Sequence, residues 1–94
     1  MSRCHELSRA RVVVRGHVQA VGFRASAWSR ARSLGLAGWV RNNPDGSVEA
    51  ELEGPARRVE PLVEWFRRGP RGARVDGIRV EWLDPVGEHG FAVR

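Results

Sequence analysis

The sequence predicts an α+β domain: an antiparallel four-stranded sheet, with a short C-terminal strand added, and two helices on one face. Three observations carry this. Apolar and polar residues alternate along 47–53, the period of a strand. Apolar residues recur at spacings of three and four along 23–34 and 59–66, the period of a helix. Glycine and proline breaks separate these stretches and leave the order β-α-β-β-α-β.

Residues 1–9 are polar and aperiodic and read as a flexible N-terminal extension, with the domain proper over 10–94. Arg11 to Arg15 contains the β-branched run Val12-Val13-Val14 and reads as the first strand. A glycine-flanked loop follows. From Phe23, the residues Phe23, Ala27, Ala31 and Leu34 mark one helix face with Trp28 beside it, and Gly35 is the expected residue just past the helix end. Leu36 to Asn42 reads as a strand, with Trp39 and Val40 on opposite faces and Trp39 in the core.

Asn43-Pro44-Asp45-Gly46 is a turn signal. After it, Val48, Ala50 and Leu52 share one face of a strand and Glu49, Glu51 and Glu53 the other, which predicts a half-solvated antiparallel strand paired with its predecessor as a hairpin. Gly54-Pro55 ends it. Val59, Leu62, Val63 and Phe66 give the second helix. Pro61 inside this pattern leaves two readings, a helix that begins near Glu60 with Pro61 at its first position, or a kinked helix. Gly69 to Gly72 is a loop. Ala73 to Leu83 is a strand with Ile78, Val80 and Trp82 on one face, and Gly77 marks a bulge or an irregular start. Asp84 to Gly90 is a loop and Phe91 to Val93 a closing strand. The order is the split βαβ, ferredoxin-like pattern.

Composition bounds the function. Ninety-four residues allow one domain with one modest core. No apolar run approaches the roughly 20 residues of a membrane helix, and the N-terminus has no apolar signal-type segment, so the expected location is cytoplasmic, with no membrane partner. Cys4, the single cysteine, reads as an inert thiol in the extension. His5, His17 and His89 lack zinc-type spacing, so no metal is expected. Ser26 has no evident base to activate it. The formal charge is +5, and all 16 basic residues are arginine. That field favours anionic ligands, whether a phosphorylated metabolite or nucleic acid.

The loop Gly16-His17-Val18-Gln19-Ala20-Val21-Gly22-Phe23-Arg24 reads on spacing alone as an ordinary strand-to-helix connection with a surface arginine, and its geometry also suits an anion. A strand-to-helix loop presents unpaired N–H groups at the positive end of the helix dipole, the geometry of an anion site. Arg24 in the first helical turn adds a planar fork suited to phosphate oxygens. The RNA-recognition alternative needs base-stacking aromatics in the central strands, and Val12-Val13-Val14 and Val48 to Leu52 offer none.

The same loop resembles the acylphosphatase signature G-x-V-Q-G-V-x-F-R, matched throughout except that Ala20 stands in place of a glycine. Gly35-Leu36-Ala37-Gly38-Trp39-Val40-Arg41-Asn42-Asn43 resembles the family's L-G-L-x-G-W-V-x-N block, and Arg68 to Val75 resembles its G-P-P-x-A-x-V segment. The resemblance implies an enzyme without a cofactor that hydrolyses small acyl phosphates, releases inorganic phosphate and acts as a monomer. It implies that Arg24 binds the substrate phosphate, that Asn42 orients the attacking water, and that main-chain N–H groups of Gln19, Ala20, Val21, Gly22 and Phe23 hold the phosphate oxygens. Asn43 competes with Asn42 as the start of the turn. Ala20 is strained if its φ is positive and harmless if it is negative.

Overall fold

The computed structural model describes residues 7–94. Its elements are β1 (Leu7–His17), α1 (Phe23–Ser33), β2 (Ala37–Asn42), β3 (Val48–Pro55), α2 (Ala56–Phe66), β4 (Arg74–Leu83) and β5 (Phe91–Val93). The sheet order is β4-β1-β3-β2-β5. The first three pairings are antiparallel, and β5 joins β2 in parallel. The expected ferredoxin-like sheet with a short added strand is therefore the observed one.

One face of the sheet carries the helices and the core. Strand alternation turns Ala10, Val12, Val14, Val40, Val48, Ala50 and Leu52 to this face, where all are fully buried. They meet Phe23, Ala27 and Ala31 of α1 and Val59, Leu62, Val63 and Phe66 of α2. The register is strongly specified, because a one-residue slip in β3 would exchange Val48, Ala50 and Leu52 for Glu49, Glu51 and Glu53. Gly35 and Leu36 close α1 by donating to the carbonyls of Arg32 (3.0 Å) and Ala31 (2.9 Å).

Two expectations need correction, and one open alternative is decided. First, residues 7–9 are strand rather than extension: Leu7, Ser8 and Arg9 pair with Pro55, Gly54 and Glu53. The long-range pairing orders a stretch with no local period. Residues 1–6, including Cys4 and His5, lie outside the described residues. Second, of the two readings for Pro61 the one that keeps it inside the helix holds, since α2 begins at Ala56 directly after β3. Pro61 is exposed, where the hydrogen bond it lacks costs least. Third, the glutamate face of β3 is not half-solvated. Glu49 and Glu53 are each only 3% exposed.

Arginines cover that face. Arg9 Nε donates to Glu51 (2.7 Å), and its two terminal nitrogens donate to Glu53 (2.8 Å) and Glu88 (2.8 Å). Glu53 also accepts the N–H groups of Val86 and Gly87, both at 2.9 Å. Arg11 and Arg41 close on Glu49. Trp39 belongs to this layer. It is 7% exposed, as a core residue would be, but the cover comes from the guanidinium groups of Arg41 and Arg94, 5.0 and 4.8 Å from its ring centre. The aliphatic stems of arginine shield the ring while the charged heads stay partly wet.

Near the start of β4, Arg15 pairs with Gly77 and Gly16 with Val75, so Asp76 is the extra residue of a bulge. Gly77 marks that irregularity, as its place in the sequence suggested.

Candidate active site

The antiparallel pairings bring the ends of β1 and β2 and the starts of β3 and β4 to one end of the sheet. Three connections meet there: the loop 18–22 before α1, the turn 43–47, and the segment 67–73 after α2.

The loop 18–22 is anchored at both ends. Val18 is buried, and Phe23 is fully buried in an aromatic cluster with Trp65 (5.1 Å) and Phe66 (5.5 Å). Gly69 lies against the ring of Phe23, where a Cβ would overlap it. Gly22 precedes α1 at φ 74°, ψ 23°, a left-handed conformation that favours glycine. No side chain caps α1, and its first turn holds no acidic residue. The first N–H groups of the helix therefore point outward without an intrahelical partner, at the positive end of the dipole. No residue other than glycine has positive φ among those described, so Ala20 sits in an ordinary conformation. Of the two readings for Ala20, the harmless one holds.

Gln19 has a role beyond its main chain. Its Nε2 donates to the carbonyls of Asn43 (2.7 Å) and Ser47 (2.9 Å), tying the loop to the hairpin turn. Only the partner's position could have revealed this, since the amide carries no signal of its target.

The two asparagines separate cleanly. Asn43 builds the turn: its N–H donates to Ser47 O (2.8 Å), its carbonyl accepts from Gly46 (3.1 Å), and its Nδ2 donates to Ser47 Oγ (3.0 Å) and Glu49 (3.1 Å). Asn42 ends β2 opposite Val48, two residues after the core residue Val40, and so faces the helix side. Its Oδ1 is buried and has no hydrogen-bond partner. Arg24 is half-buried in the first turn of α1, and one terminal nitrogen donates to the main-chain oxygen of Arg94 at 3.0 Å. Arg94 is held in turn by its N–H to Val40 O (2.8 Å) and by stacking on Trp39.

The acids at this end are already matched. Asp45 accepts from the hydroxyl (2.6 Å) and N–H (3.0 Å) of Ser47 and from Arg15 (2.9 Å). Those bonds, the Ser47 hydroxyl first, hold its carboxyl far below the usual carboxylate range. Burial by itself would raise Glu49. The bonds from Asn43, Arg41 and Arg11 outweigh it, and the carboxyl lies below its ordinary value. Neither acid is poised to act as a proton donor near neutrality.

Fold and site together define a ferredoxin-like domain in which the loop before α1 leaves the helix N-terminus without a side-chain cap. The acylphosphatase family profile matches residues 10–93, and the chain belongs to that family. It is 58% identical over 87 residues to an acylphosphatase of Anaeromyxobacter dehalogenans, covering 92% of this chain and 94% of the relative. It is 52% identical to one of Thermococcus kodakarensis, covering 90% and 93%. Among solved structures, the acylphosphatase of Bacillus subtilis superposes with a TM-score of 0.88 at 37% identity, covering 95% and 99% of the two chains. That of Coxiella burnetii gives 0.89 at 35%, covering 94% and 93%. The chain is an enzyme, and its reaction is hydrolysis of the carboxyl–phosphate bond of acyl phosphates. Among the described residues, no helix is long and apolar enough to cross a membrane.

Proposed function

We propose that Arg24 and the main-chain N–H groups of Gln19, Ala20, Val21, Gly22 and Phe23 hold the substrate's phosphoryl oxygens, and that Asn42 orients the water that attacks phosphorus. The observation that carries this reading is Asn42 Oδ1, buried and unpartnered on the helix side of the sheet where the phosphate loop gathers. A buried acceptor without a partner costs about 1–3 kcal/mol. A water donating to Oδ1 satisfies it and leaves the water's lone pair free to attack.

An acyl phosphate is a mixed anhydride whose leaving group is a carboxylate. That group departs without protonation, so no general acid is required. Water oxygen bonds to phosphorus, the P–O bond to the acyl group breaks, and carboxylate and inorganic phosphate leave. Asparagine cannot take up the water's proton, which passes to a phosphate oxygen or to solvent. What remains for the protein is positioning and charge stabilisation, the main terms in phosphoryl transfer. Such a site needs no metal or cofactor. A monomeric state, a cytoplasmic location and no role for nucleic acid belong to the same reading.

The test is hydrolysis of benzoyl phosphate in EDTA. Loss of one preorganised polar contact at a reacting centre lowers turnover by about 10²–10³. Asn42→Ala should fall in that range with modest loss of inorganic phosphate binding, and Arg24→Ala should lose both turnover and binding. Equal losses from Asn42→Ala and Asn43→Ala would reject the role given to Asn42. Elution of the purified chain as a dimer would reject the monomer.

A further inference from the structure

One loop that packs against residues 18–23 has no part in the scheme above. Its residues 67–73 run from α2 to β4: Gly69 packs on Phe23, and a Cβ placed on Gly72 would lie 3.8 Å from Val21 Cγ1. Between these two glycines stands Arg71, exposed at the rim of the candidate cradle.

The described arginines divide into those that hold a carboxylate and those that do not, and Arg71 is in the second group. Arg9, Arg11, Arg15, Arg41, Arg67 and Arg74 each hold a carboxylate. At the cradle end, Asp45 is taken by Arg15 and Ser47, Asp76 by Arg74, and Glu49 by Arg11 and Arg41. Among the described residues, Arg71 has neither an ion pair nor a hydrogen bond. Arg24 holds only a main-chain oxygen. The substrate's phosphoryl group occupies Arg24. A second guanidinium then remains on the loop that packs against Val21 and Phe23, with no internal carboxylate to neutralise it.

We propose that Arg71 is a specificity residue. It pairs with a negative charge on the acyl part of the substrate, and the site prefers acyl phosphates of dicarboxylic or otherwise anionic acids over those of neutral acids of the same size. This rests on the reading of Arg24 and residues 19–23 as the phosphate cradle. The chemistry is unchanged. The added contact lies at the far end of the leaving carboxylate.

Succinyl phosphate and butyryl phosphate differ only in a carboxylate against a methyl group and make a matched pair. The wild type should favour succinyl phosphate in kcat/KM by about fivefold, the value of one partly exposed charge pair. Arg71→Gln should remove most of that ratio. Arg79→Gln removes the same unit of charge from the middle of β4, opposite Val13 and facing away from the helices, and should keep the ratio. The proposal is overturned if the wild type shows no preference, if Arg71→Gln leaves the ratio unmoved, or if Arg79→Gln lowers it equally, which would make it an effect of overall charge. Failure of the cradle reading shows separately, as wild-type turnover of butyryl phosphate by Arg24→Ala.

Discussion

On the helix side of the sheet, Val12, Val14, Val48, Ala50 and Leu52 are sealed by apolar side chains. On the far side, Glu49 and Glu53 are almost as deeply buried, but under arginine. Both faces exclude water, by different physics. The apolar face is non-directional, and its stabilisation grows with the area removed from water. The charged face holds only where each carboxylate finds matched donors, since an unpaired buried charge is far more costly than an exposed one. Arg9 shows the demand most clearly, with three carboxylates on one guanidinium. Arg24, in the first turn of α1, stands in contrast, half-exposed and without a side-chain carboxylate. Arg9 is spent on neutralising buried carboxylates, whereas Arg24 keeps donors that no side-chain carboxylate takes.

The comparison can be broken most severely at Arg9. Arg9→Ala leaves Glu53 buried without its cation and should cost about 3–5 kcal/mol. That matches or exceeds Leu52→Ala on the apolar face, expected to cost about 2–5 kcal/mol. Urea denaturation measures both. If Arg9→Ala costs under 1 kcal/mol, the charged layer is not integral to the fold. Adding Glu53→Leu to an Arg9→Met background should recover stability, because an apolar pair of similar volume carries no desolvation penalty.

Gly69→Ala tests how the apolar side supports the site. Its Cβ would meet the ring of Phe23, and overpacking of this kind costs about 1–3 kcal/mol. Because Phe23 ends the loop proposed to hold the phosphate, kcat/KM for benzoyl phosphate should fall even at temperatures where the variant is folded. Full activity there would detach the loop's geometry from the aromatic cluster.

Acid should separate the two faces. Glu49 and Glu53 have folded-state values below their ordinary value of 4.5, because hydrogen bonds to the charged form outweigh the penalty of burial. Their contribution to stability is therefore full above about pH 4.5 and is lost as pH falls through the lower folded-state values. Urea midpoints should hold level from pH 7 to 5 and drop below 4.5. Glu49→Gln should flatten part of that drop. An unchanged profile in the variant would exclude Glu49 as a source.

The smallest effect is expected at Ala20. With no positive φ to relieve, Ala20→Gly should change catalytic efficiency less than tenfold and lower stability by about 0.4–1 kcal/mol through added freedom in the unfolded chain. A larger gain in activity would show that the methyl group itself obstructs the phosphate.

Much of this was legible in the residues. The helix at Phe23, the turn at Asn43 to Gly46 and the alternation of β3 follow from periods and turn chemistry, which are local. The resemblance carried the site residues, and the surrounding contacts now show what distinguishes neighbouring candidates. Asn43 spends its side chain on Ser47 and Glu49, while Asn42 keeps a free acceptor. Trp39 is buried as expected, but in the charged layer. The hairpin contact of Gln19 and the strand conformation of Leu7 to Arg9 were not legible at all. Each depends on a partner more than 20 residues away.

Local periodicity, turn residues and glycine positions were therefore sufficient for the element order and for the place of the loop between β1 and α1. Packing across the sheet decided the rest: that a row of glutamates lies buried, that Pro61 is carried inside a helix, and which arginines keep a charge to offer. The physical reason is range. Backbone preference is set within a few residues. Burial and charge neutralisation are set by whatever the folded chain brings alongside, and a glutamate reads the same in sequence whether water or an arginine lies above it.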